Sequence, residues 1–199
     1  MALVVSDYKK APFGRFFVVR AASLAMAIGV ATACAQVVAA EDYAVWQDKR
    51  YVIAYNPSGK PNGISDADVI DALAHAAAVW ASCGVRVEFG GFTRRPIDHL
   101  DGVNVIGWQV DIPGLMALTL PQYLRRILLD ADIRLSAGLV RDADTLRQVI
   151  AHEVGHALGL FMHSAEADSL MNEKRFLSPR LDTPSGQDMQ SCQQRYDWK

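Results

Sequence analysis

The chain has 199 residues, 51% apolar and 21% charged, which suits one domain with a real core and excludes a disordered chain. Its net charge of −2 conceals an asymmetry: residues 1–40 carry four basic residues against one acid, so the remainder holds 16 basic and 21 acidic residues, net −5. A mildly acidic body without a basic stripe gives no reason to expect a nucleic-acid partner.

The N-terminus reads as an export signal. A basic stretch, KKAPFGRFFVVR, precedes the apolar AASLAMAIGVATA, and small residues follow in ACAQVVAAED. Cleavage is expected after Ala40, where Glu41 and Asp42 begin a polar segment, or after Ala35. An uncleaved anchor over 21–40 and lipidation of Cys34 are the alternatives; alanine drives membrane insertion weakly, and Ala31 is a poor start for a lipid-attachment motif. The expected product is a secreted or periplasmic protein of one domain, residues 41–199, monomeric and without stable membrane insertion. Loss of Cys34 leaves Cys83 and Cys192, an even pair that in an exported protein is a disulfide candidate; two separate buried thiols are the alternative.

In chain order, RYVIAY (50–55) is β-branched and aromatic and reads as a strand running into the turn NPSGKPNG. Ser65 is the expected N-cap of a helix, with Asp68 completing a capping box and Ile64 placed to staple onto Val69. Val69, Leu73, Ala76 and Trp80 share one face of that helix, and Gly84 is expected to end it. VRVEF (85–89), VNVIGW (103–108) and a short ADIRL (131–135) read as strands; LMALTLPQYLRRILLDA, before ADIRL, yields no firm pattern. A second helix starts near Asp144 or Thr145, buries Leu146, Ile150, Val154 and Ala157, and stops at Gly159. A last helix spans roughly Ser185 to Tyr196. This order predicts an α+β fold: a twisted mixed sheet of 4–5 strands with two long helices and a C-terminal helix.

The second helix carries the chemistry. His152 and His156 are four residues apart, so both imidazoles leave one face and can grip one ion. Imidazole nitrogen suits zinc, and three protein ligands leave a position for water. Glu153 lies between the histidine pair and the apolar stripe, placed to act as general base without being a ligand. His75 and His99 read as ordinary structural or solvated histidines. Gly159 lets the chain turn back, so that a third ligand can come from nearby sequence.

HEVGHALGL…HSAEADSLM resembles the metzincin zinc peptidases, in particular the matrixin branch, with its HExxHxxGxxHS pattern and a leucine-methionine pair forming a "Met-turn". AAAVWASCGVRVEF and PSGQDMQSCQQRY are similar to that family's first helix running into its second strand and to its C-terminal helix. The resemblance implies a metzincin-like fold, one catalytic Zn2+ held by His152 and His156, Glu153 as the base, Gly159 as the turn and Met171 as the Met-turn methionine. It also implies a protein or peptide substrate, and a specificity-pocket wall formed by residues 172–184.

One departure stands out. The pattern puts its third histidine at position 162, which is Met162; the histidine is His163. Ser164 and Met171 keep their spacing to His163, so the block has shifted as a unit behind a one-residue insertion. Thioether is a poor zinc ligand, so His163 is expected as third ligand, delivered by a loop that absorbs the extra residue. If the loop cannot buckle, the side chain is displaced by about 3.5 Å and the site collapses. The chain would then be a degraded metzincin-like binding or inhibitory module. A thermolysin-type site using Glu173 is the third reading, which the early helix stop disfavours.

No cysteine lies between the candidate signal and Trp46, so latency by a cysteine cap is not expected. No histidine lies between 100 and 151, so a second, structural zinc site is not expected either. Asp130, Asp132, Asp142 and Asp144 are candidate calcium ligands, although aspartates in turns commonly serve as caps. A substrate peptide is expected to add along an edge strand, with ADIRL as the candidate.

Overall fold

The computed structural model describes residues 44–97, 100–110, 112–173 and 181–197. The expected signal, with Cys34, and His99 lie outside them, as do residues 174–180 of the expected specificity wall. The described chain is an α+β structure of five strands and three helices. The strands are β1 (Arg50–Asn56), β2 (Arg86–Phe92), β3 (Asn104–Gln109), β4 (Ala117–Leu124) and β5 (Ile127–Ser136). The helices are α1 (Asp66–Val79), α2 (Ala143–Ala157) and α3 (Gly186–Tyr196). Among the described residues, no helix is long and apolar enough to cross a membrane.

The sheet is mixed, in the order β2-β1-β3-β5-β4. The first four run parallel and β4 is antiparallel to β5. Parallel neighbours need crossovers, and α1 supplies the one between β1 and β2. Tyr51, Ile53, Tyr55, Ile106, Ile133 and Leu135 are fully buried from the sheet, and Val69, Ala76, Leu146, Val149, Ile150 and Val154 from the two helices that cover it.

Local sequence explains the helix starts. Ser65 accepts from the Asp68 amide while Asp68 reaches back to the Ser65 amide, closing a capping box; Ser185 and Asp188 repeat it at α3. The first helix ends earlier than the sequence suggests: α1 stops at Val79, a 3-10 turn covers Ala81–Cys83, and Gly84 closes that turn at φ +87°. Likewise α2 begins earlier, because Asp142 rather than a later residue caps it, accepting from the Thr145 amide at 2.8 Å.

Two corrections concern the sheet. The segment without a clear pattern holds all of β4 and the start of β5, joined by a tight turn. Pro121 inside β4 is tolerated because β4 is an edge strand. The turn is Arg125-Arg126, with Arg125 at φ +59°, a conformation that hairpins usually assign to glycine or asparagine, so no turn signal marks it. Second, ADIRL belongs to the ten-residue β5, which is bonded to β3 on one side and β4 on the other. It therefore cannot take up a substrate strand. The edge on that side of the sheet is β4.

Candidate metal centre

The site is built on the second half of α2. Leu146, Val149, Ile150, Val154 and Ala157 are fully buried and fix the roll of the helix. Trp80 of the neighbouring segment donates its indole N–H to the Ala151 carbonyl at 2.8 Å. With that roll, His152 and Glu153 are themselves buried, and His156 is half-buried.

The helix ends in a Schellman turn. Leu160 N–H donates to Gly155 O at 3.1 Å and Gly159 N–H to His156 O at 2.9 Å. Gly159 sits at φ +97°, and a Cβ there would come within 2.5 Å of Ala44 O, so only glycine fits on both counts. The chain therefore reverses, and three side chains from the helix and the following loop converge. His156 Nε2 lies 3.0 Å from His152 Nε2 and 3.3 Å from His163 Nε2. Among the described residues these three form the only group of His, Cys, Asp or Glu that could hold a metal ion.

The tautomers follow from the partners. His152 Nδ1 meets Leu170 O at 2.7 Å and His156 Nδ1 meets Leu160 O at 2.6 Å. A carbonyl oxygen only accepts, so in both rings Nδ1 carries the proton and Nε2 presents a lone pair. Two lone pairs 3.0 Å apart repel unless a cation lies between them. Tetrahedral zinc with bonds of 2.0–2.1 Å would set its nitrogens about 3.3 Å apart. The observed separations fit that donor set.

The surplus residue is absorbed in the loop 160–163. Leu160 is buried, Phe161 stacks on Tyr123 of β4 with ring centroids 5.3 Å apart, and Met162 points outward with 74% exposure. Met162 thus occupies the expected sequence position but not the site, and His163 swings in behind it. Glu173 does not join the cluster: its carboxylate lies 3.8 Å from His163 Nδ1, the ring nitrogen other than the one at the cluster.

Met171 lies beneath the helix, 2% exposed, its sulfur against Gly155. The loop 164–172 is closed by the Ser164 amide donating to Met171 O at 2.9 Å. Asp188 of α3 pins that loop, accepting from Ser169 Oγ at 2.6 Å and from the Leu170 amide at 2.8 Å. Leu170 is the residue whose carbonyl orients His152, so α3 reaches the cluster through one residue. A disulfide between Cys83 and Cys192, with Cα atoms 5.3 Å apart, ties α3 to the turn after α1.

Glu153 has a partner from the sheet: Thr119 Oγ1 of β4 lies 2.6 Å from its carboxylate and 3.0 Å from its main-chain oxygen. Thr119, Asp188 and Gly155 escaped the reading of the sequence. Thr119 lies in the segment without a pattern, and a glycine within a helix or an aspartate near a helix start gives no hint of a distant contact.

The remaining candidates are placed elsewhere. His75 Nε2 meets Asp182 O at 2.8 Å, tying α1 to the chain just before α3. Asp130 accepts from the Gly102 and Asp101 amides, Asp132 from the Val105 amide, and Asp142 caps α2. The structure does not gather the four aspartates named for calcium into a metal-holding group among the described residues.

A family model for the matrixins, a peptidase family, matches residues 45–197. No curated protein matches. Among solved structures, a chain of the "GM1 bound form of the ECX AB5 holotoxin" is 16% identical, with 72% of this chain and 79% of that chain covered at a TM-score of 0.49.

Proposed function

The chain belongs to the matrixin family of metallopeptidases, and from that premise we propose that it is a secreted, zinc-dependent endopeptidase of one catalytic domain, residues 41–199, exported by the signal in residues 1–40. The observation that supports this best is the convergence of three imidazole Nε2 atoms at 3.0 and 3.3 Å, two of them with Nδ1 bound to a carbonyl. His152, His156 and His163 would hold one zinc ion. When bound, zinc supplies Lewis acidity toward water and the scissile carbonyl.

Glu153 does the proton work. Its carboxylate is next in sequence to His152 and buried, so it accepts a proton from the attacking water and returns it to the leaving amine. Met171 supports the floor of the site by filling the space left at Gly155. A substrate peptide would lie extended along the outer edge of β4, where strand addition sets its main chain in register beside α2. The wall of the primary specificity pocket would come from residues 172–184. Calcium has no role in this reading, and the protein acts as a monomer.

The test compares wild type with Glu153→Ala, each refolded with zinc, on casein and on a mixture of internally quenched peptides. Both should hold one zinc per chain, and only wild type should cleave. Cleavage at equal rates would remove Glu153 from the mechanism. Zinc-loaded wild type that cleaves nothing would favour a binding or inhibitory module instead.

A further inference from the structure

We propose that Thr119 is a positioning residue for the general base, fixing the Glu153 carboxylate against the strand that receives the substrate. The inference rests on the peptidase reading above and adds to it a residue from another element.

Glu153 has a long side chain, and the neighbouring histidines restrain the helix rather than its carboxylate. A glutamate that must meet a water in one orientation needs a partner that selects a rotamer. Thr119 Oγ1 lies 2.6 Å from Oε2, within the range of an O–H···O⁻ bond to an ionised carboxylate. The same hydroxyl lies 3.0 Å from the Glu153 main-chain oxygen, so it contacts both ends of the residue. Thr119 is 7% exposed and Glu153 6%, so solvent competes little for either group. Threonine is also stiff at χ1, because its branched Cβ leaves few rotamers, so the hydroxyl is held in place by its strand.

The strand gives the contact its significance. Thr119 pairs with Ile133 across the β4–β5 ladder, while the opposite edge of β4 is the one a substrate strand would join. A single strand therefore places the substrate main chain and orients the base. A shift of β4 would move both together, which preserves the reacting geometry. Positioning of this kind is worth up to about 100-fold in rate for a displacement near 1 Å.

The experiment uses full-length zinc-loaded protein with Thr119→Val, which keeps shape and loses the hydroxyl, and Thr119→Ser, which keeps the hydroxyl. Zinc content, thermal midpoint, kcat and KM are measured on one quenched peptide that wild type cleaves, and crystal structures of wild type and both variants report the Glu153 rotamer. We expect Thr119→Val to bind one zinc, to lose about 10- to 100-fold in kcat at unchanged KM, and to show the carboxylate rotated away from β4. Thr119→Ser should recover most of the loss and the wild-type rotamer. A Thr119→Val protein with wild-type kcat, or a Thr119→Ser protein as slow as the valine variant, overturns the proposal while leaving the peptidase reading intact. Zinc-loaded wild type without activity overturns both.

Discussion

Met171 is packed against Gly155: a Cβ built on that glycine would lie 2.5 Å from Met171 Sδ and 2.8 Å from Trp80 Cζ2. The glycine inside the metal-site helix is therefore a socket for the methionine of the loop below. In an exposed helix interior, alanine stabilises relative to glycine by about 1 kcal/mol. Here overpacking opposes it at about 1–3 kcal/mol. Gly155→Ala should therefore lower the thermal midpoint and, by displacing Met171 from under His152 and His156, weaken zinc binding. Thermal unfolding with and without zinc checks this, and a raised midpoint would show that the socket is looser than described.

His163 and Glu173 can be separated by metal binding. His163 presents Nε2 to the cluster, whereas Glu173 faces the other ring nitrogen at 3.8 Å. His163→Ala should lose stoichiometric zinc under chelator competition. Glu173→Ala should keep one zinc per chain, weakened by no more than about 10- to 100-fold, as for a partner that only orients a ligand. The reverse ranking would install Glu173 as the third ligand.

The disulfide closes 109 residues of sequence and anchors α3, whose Asp188 holds the Leu170 amide. Replacing both Cys83 and Cys192 with serine should cost about 2–5 kcal/mol in urea unfolding. Because Leu170 orients His152, zinc affinity should fall as well. Unchanged zinc affinity in a destabilised variant would show that the loop holds its shape without α3 fully seated.

Asp130 carries a pH signature. Burial, reinforced by the charge of Asp132, pushes its carboxyl from 3.8 up to about 6, against the opposing bonds from the Gly102 and Asp101 amides. A folded-state pKa above the unfolded value means that the native protein holds the proton more tightly. The stability gained from this group is complete below about pH 4 and is lost as the pH rises through about 6. Asp130→Asn keeps an oxygen for the two amides and cannot ionise. Its stability relative to wild type should therefore rise between about pH 4 and about pH 7, measured by urea unfolding of both proteins in parallel. A difference constant across that range would mean that Asp130 ionises as it does in the unfolded chain.

The sequence by itself determined what is encoded within a few residues. The Ser65–Asp68 box, the His152–His156 spacing and the stop at Gly159 each involve side chains and amides no more than a few positions apart, so helical geometry alone brings them together. What remained hidden depends on distant segments meeting. The Arg125-Arg126 turn carries no glycine or asparagine, and the place of β5 inside the sheet follows from its two partners rather than from its own residues. The landing place of His163 depended on whether the loop 160–163 could expel Met162 while Phe161 stacked on Tyr123, a stack between residues 38 apart in sequence. Thr119 meets Glu153 across 34 residues, and Gly155 meets Met171 only because the loop 164–172, held by Asp188 of α3, packs beneath α2. Local periodicity specifies the face that a side chain presents; tertiary packing alone decides what that face meets.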